Sequence, residues 1–165
     1  MGSKKGIIVT VSILAIISGA SFLVWTIPEN NESTFIVTDY GNYLEGVKNI
    51  HEVIQESTEI ELNKLINGEI SSQEYIESVD ITLSQATSQI SEFVTSKPPE
   101  EWQSSYISYM DSLRKYNEYL VETKVLADLI DNNADESKIN EIMNKLESLK
   151  QESLELAKFS NDARP

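Results

Sequence analysis

The chain has 165 residues, 27 Asp and Glu against 13 Lys and Arg, a formal net charge of −14, one His and no Cys. A surface this acidic repels nucleic-acid phosphates and anionic lipid headgroups, which excludes nucleic acid as an expected partner. The missing cysteines exclude disulfides, thiolate metal sites and sulfur-linked lipids, so any folded part must hold together by packing alone.

Gly6 to Ile27 is a run of 22 uncharged residues directly behind Lys4 and Lys5. About 20 apolar residues cross a bilayer as a helix. Residues 6–27 therefore predict a transmembrane anchor with Trp25 at its far interface. Residues 1–5 stay in the cytoplasm by the positive-inside bias, and all that follows lies outside it. A cleaved signal sequence is the rival reading, with Ser18-Gly19-Ala20 as small residues before the cut. That cut would leave the apolar Ser21-Phe22-Leu23-Val24-Trp25 as the mature N-terminus. Gly6 stands where myristoylation needs Ser or Thr. Residues 28–34 form a short polar linker with one glycosylation sequon at Asn31 (Asn31-Glu32-Ser33), close to the expected membrane surface.

Residues 35–160 carry helical periodicity throughout. In the first segment Ile36, Tyr40, Tyr43, Val47, Ile50 and Ile54 recur at steps of four and three, a heptad seam continued by Thr58, Leu62 and Leu65. Gly41 and Gly46 weaken its start, and Asn67-Gly68 ends it. Ser71 and Glu74 form a capping box for a second helix with the seam Ile76, Val79, Leu83, Ala86, Ile90, Phe93, stopped by Lys97-Pro98-Pro99. Glu100 and Glu101 suit the first turn of a third helix. Its seam is Trp102, Tyr106, Tyr109, Leu113, Tyr116, Leu120, Ala127 and Ile130, broken at Asp131-Asn132-Asn133. A fourth helix runs from about Asp135 to Ser160 through Ile139, Ile142, Leu146, Leu149, Ser153 and Leu156. Residues 161–165 form a tail. Four surface pairs are expected within helices: Glu45–Lys48, Asp111–Lys115, Glu141–Lys145 and Glu155–Lys158.

The fold class is all-α, an N-terminal transmembrane helix followed by an extracytoplasmic antiparallel up-down-up-down four-helix bundle. A coiled coil between chains would use the same heptads, but the sharp turns at Gly68, Pro98 and Asn132 favour folding back within one chain. Alternating helix direction gathers Tyr40, Tyr43, Phe93, Trp102, Tyr106 and Tyr109 at the membrane-proximal end, with Phe35 and Phe159 beside them. Such a cluster is core filling, or else an aromatic-lined pocket or a contact surface.

His51 borders the first seam and is expected to be half-exposed, near the height of Met143 on the fourth helix. A His and a Met on first and last helices resemble, in outline only, periplasmic four-helix b-type cytochromes, with the residue types exchanged between helices. No cofactor is expected. The Glu-x-x-His pattern of di-iron bundles, a phosphate loop and a nucleophilic triad are all missing from the sequence, so no metal or catalytic residue is assigned and no enzyme is expected. The architecture also resembles extracytoplasmic four-helix sensor domains of chemoreceptors and kinases, without their second transmembrane helix and cytoplasmic output. The reading is a single-pass membrane protein whose bundle scaffolds another membrane or envelope protein. The alternative is a ligand-sensing or solute-binding bundle that uses the aromatic end.

Overall fold

A computed structural model describes residues 37–165. The expected anchor 6–27, the linker 28–34 with Asn31, and Phe35 and Ile36 lie outside the described residues. Among the described residues no helix is long and apolar enough to cross a membrane.

Four helices and no strand make up this part: α1 (Tyr40–Ile66), α2 (Ser72–Thr95), α3 (Glu100–Asp131) and α4 (Glu136–Asp162). The described residues are all-α and consistent with a four-helix bundle. Local chemistry sets each boundary. Asp39 caps α1, its carboxylate accepting from the Asn42 amide at 3.0 Å. Gly68 then takes φ 71°, a conformation only glycine adopts without strain. The Glu69 and Gly68 amides reach back to the Lys64 and Leu65 carbonyls, a Schellman stop. The capping box of α2 is formed as its sequence predicts, with the Ser71 amide donating to Glu74 at 2.9 Å and the Glu74 amide to Ser71 Oγ at 3.2 Å. Asn133 repeats the Schellman stop behind α3 at φ 49°.

Side-chain pairs fix the register. Tyr43 stacks on Phe93, so α1 and α2 run antiparallel. Ser105 meets Ser160, and Ser112 meets Ser153, so α3 and α4 do too. The second pair is reciprocal: Ser112 Oγ donates to the Ser153 carbonyl at 2.8 Å and Ser153 Oγ to the Ser112 carbonyl at 2.9 Å. Small side chains let these two backbones approach closely, and α3–α4 is the closest helix pair. Helix α1 stands furthest from its neighbours, and rings fill the intervening space.

Two apolar clusters result. One, toward the 67–71 and 132–135 turns, holds Leu65, Tyr75, Val79, Leu120, Leu126, Leu146 and Leu149. The other, at the aromatic end, holds Leu44, Val47, Phe93, Tyr106, Tyr109 and Leu113. Polar residues stand where the two meet, His51, Ser112 and Ser153, all buried, and Thr58 lies within the first cluster.

Several expectations need correction. The buried seam of α1 is Leu44, Val47, His51, Ile54, Thr58, Leu62 and Leu65. Ile50, expected inside, is 49 % exposed. Ile50 is the more apolar of two adjacent residues, but the buried position falls on His51. The expected intrahelical pairs are replaced mainly by contacts between helices. Lys115 binds Glu118 and Glu152, Lys145 binds Glu122, Asp111 binds Arg114, and Lys48 donates to Asn161. Helix α4 runs two residues past Ser160, and Arg164 beyond it pairs with Glu45 of α1.

The serine contact predicts an asymmetry between substitutions. Ser112→Ala removes neutral hydrogen bonds and should cost about 1 kcal/mol. Ser112→Leu must force α3 from α4 and should cost about 2–3 kcal/mol or more. Urea unfolding of the two variants checks this, and equal costs would contradict the close approach.

Candidate functional site

All six aromatic residues singled out in the sequence come together. The Phe93 ring lies 4.5 Å from Tyr106 and 5.9 Å from both Tyr43 and Tyr109, stacked on the first two. Tyr40 and Trp102 meet Tyr106 edge-on at 5.8 and 6.2 Å. Gly41 makes room for Trp102: a Cβ there would sit 3.3 Å from its ring. The Tyr106 hydroxyl donates to the Tyr40 carbonyl at 2.9 Å, and the Tyr40 hydroxyl to the Lys97 carbonyl at 3.3 Å. Burial raises the Tyr43 phenol to about 12 and pushes Tyr106 and Tyr109 up as well, so all three are neutral at ordinary pH. The rings pack on one another as core. Phe159, expected beside them, is 61 % exposed and stands apart.

Next to this cluster lies the single histidine of the chain. His51 is 3 % exposed rather than half-exposed. Its Nδ1 sits 3.0 Å from the Tyr109 hydroxyl, and its ring meets Tyr116 edge-on at 4.7 Å. Nε2 is buried without a hydrogen-bond partner among the described residues. A proton there would leave an unpaired cation inside the bundle, and this burial lowers the imidazole to about 4. Tyr116 continues the network, donating to Thr58 at 3.0 Å, and Thr58 donates to the Ile54 carbonyl.

A crevice of about 120 Å³ opens beside the ring between α1, α3 and α4, lined by Lys48, His51, Gln55, Tyr109, Ser153 and Leu154 among others. Lys48 bridges it. The ammonium lies 5.1 Å from the centre of the Tyr109 ring and donates to Asn161. Burial, then the charge of Arg164, hold it down at about 8, against an opposing pull from Glu45. The space fits a few waters or one small polar group. Met143, the expected neighbour of His51, is exposed and lies about 16 Å along α4 from Leu154 at 1.5 Å per residue. The His–Met arrangement is therefore not formed. Among the described residues no three His, Asp or Glu groups converge as a metal site would require. A second hollow of about 470 Å³ on the far side, between Leu83, Val121 and Leu149, is broad and open.

The signal for His51 was in the sequence: it completes a 3–4 run through Leu44, Val47, Ile54 and Thr58. The serines carried one as well, Ser105 and Ser112 standing seven apart like Ser153 and Ser160.

Comparison of the chain with protein-family models, with curated proteins and with solved structures gives no match.

The buried imidazole predicts a pH dependence. Above pH 6.5 folded and unfolded His51 are both neutral. As pH falls the unfolded chain takes a proton that the folded one refuses down to about 4. Stability should therefore drop between these values, by up to about 3 kcal/mol from this group. The difference in unfolding free energy between the natural chain and His51→Leu, followed from pH 7.5 to 4, isolates it. A difference that does not change with pH would show that His51 titrates freely.

Proposed function

We propose that this chain is a single-pass, membrane-anchored interaction module. Residues 6–27 hold it in lipid and the bundle, outside the cytoplasm, scaffolds another membrane or envelope protein. The observation that carries this reading is an exposed apolar stripe on α1. Ile50, Val53 and Ile60 are 49, 53 and 50 % exposed. With Gly46 and Ser57 they recur at steps of 4, 3, 4 and 3, a second heptad seam turned away from the core. A soluble helix face ordinarily carries polar groups at such positions, and an apolar stripe at coiled-coil spacing is what one helix offers another. The aromatic end supports the same choice over a ligand pocket, because its rings fill the space that a solute would need.

Two measurements test the proposal. A photo-crosslinking amino acid placed at Val53 of the full chain, in intact cells, should give a discrete protein adduct, while the same group at the equally exposed Ile107 of α3 should not. Protease added outside sealed cells should digest the bundle. Protection of residues beyond Pro28, or adducts equally frequent at both positions, would contradict the reading.

A further inference from the structure

The charge around the α1 stripe says what kind of helix it receives. Cations of the bundle are gathered on α3 and α4, which supply at least one partner to every ion pair among the described residues except that of Arg164 just beyond α4. Residues 40–95 carry ten acids against Lys48 and Lys64 alone. Lys48 is turned to Asn161 of α4, Lys64 lies only at the loop end of the stripe, and α2 has no cation at all. Glu52, Glu56, Glu61, Glu77 and Glu92 take part in none of those ion pairs. Glu56 and Glu61 fall at heptad positions flanking the seam. Glu77 and Glu92 sit on the neighbouring α2, whose exposed Ile81 is brought level with about Gln55 by the Tyr43–Phe93 stack. From Gly46 to Ile60 the stripe extends about 21 Å, four turns of helix.

We infer that the stripe of Ile50, Val53 and Ile60 docks a cationic amphipathic helix, whose apolar edge covers the stripe and whose flanking lysines or arginines neutralise the acids of α1 and α2. This rests on the interaction reading above and names the chemistry of its partner. A second copy of the chain would set one acidic face against another, and like charges facing across a seam select against that pairing. An anionic lipid surface is repelled for the same reason.

The test uses the full chain in nanodiscs of neutral lipid and a labelled synthetic helix of about three heptads, with Leu at the seam and Lys at the flanking positions. A matched helix with Glu at those positions serves as control. Fluorescence anisotropy should show that the Lys helix binds and the Glu helix does not. Affinity should fall at least about tenfold in Val53→Glu, from lost apolar burial alone. It should fall again as salt rises from about 0.05 to about 0.5 M. Ile107→Glu should leave it unchanged, and matching melting curves confirm that both variants fold. Equal binding of the two helices, no effect of Val53→Glu, failure of the Lys helix to bind, or dimers of the chain that Val53→Glu dissolves would each overturn the inference. If the Lys helix fails while the Val53 crosslink still forms in cells, only the cationic chemistry is wrong. If both fail, the interaction reading fails too.

Discussion

The close contact between α3 and α4 governs the rest of this bundle. Two serines on each helix, seven residues apart, bring the backbones together through hydroxyl–carbonyl hydrogen bonds. Nothing bulky fits there, so the large side chains of α3 belong on its other flank. Tyr106, Tyr109 and Tyr116 project from it toward α1. Helix α1 is consequently held at the distance of a ring rather than of a methyl group. Its attachment relies on burial of Leu44, Val47, Ile54, Leu62 and Leu65 in the two clusters, on ring packing, on hydrogen bonds at ring hydroxyls and on exposed ion pairs such as Lys150–Glu59. Exposed pairs of this kind contribute little each, about 0–1 kcal/mol.

The same geometry explains why the core is divided. Where α1 crosses the level of Ser112, the seam position is His51 rather than an aliphatic residue. Its hydrogen bond to Tyr109 and the Ser112–Ser153 pair lie at that level, and the Tyr116–Thr58 bond follows two turns further along α1. These hydrogen bonds form only when each helix stands in one register. A slip by one turn would leave several of their polar groups buried and unpaired, at about 1–3 kcal/mol each. Leu, Ile and Val on either side supply burial energy but tolerate sliding. These bonds therefore select the register that the apolar clusters stabilise. By placing His51 at the buried seam position, that register turns Ile50 outward into a stripe facing solvent.

How much of this could be read from sequence depended on the physics behind each feature. Helix ends were legible because they follow from single residues: Gly68 must take a left-handed turn, Ser71 and Glu74 exchange hydrogen bonds, and Pro98 forbids continuation. The gathering of Tyr40, Tyr43, Phe93, Trp102, Tyr106 and Tyr109 was legible because alternating direction and helix rise set their level. The buried face of α1 was misread at one position, since Ile50 is more hydrophobic than His51 and hydropathy ignores the waiting Tyr109 hydroxyl. Ion pairs were misread because spacing within one helix says nothing of the neighbour: Lys145 reaches Glu122 of α3 before Glu141 of its own helix. The anchor, the linker and Asn31 remain sequence inferences, outside the described residues.

Residue-resolved native-state hydrogen exchange on the full chain tests the central claim, that α3 and α4 form the closely packed unit and α1 is held to it through side chains. Amides around Ser112 and Ser153 should exchange only through global unfolding. Those in the middle of α1, near His51 and Ile54, should exchange through a smaller opening of lower free energy. Protection of α1 equal to that of α3, or faster exchange at Ser112 and Ser153 than at His51, would contradict the account.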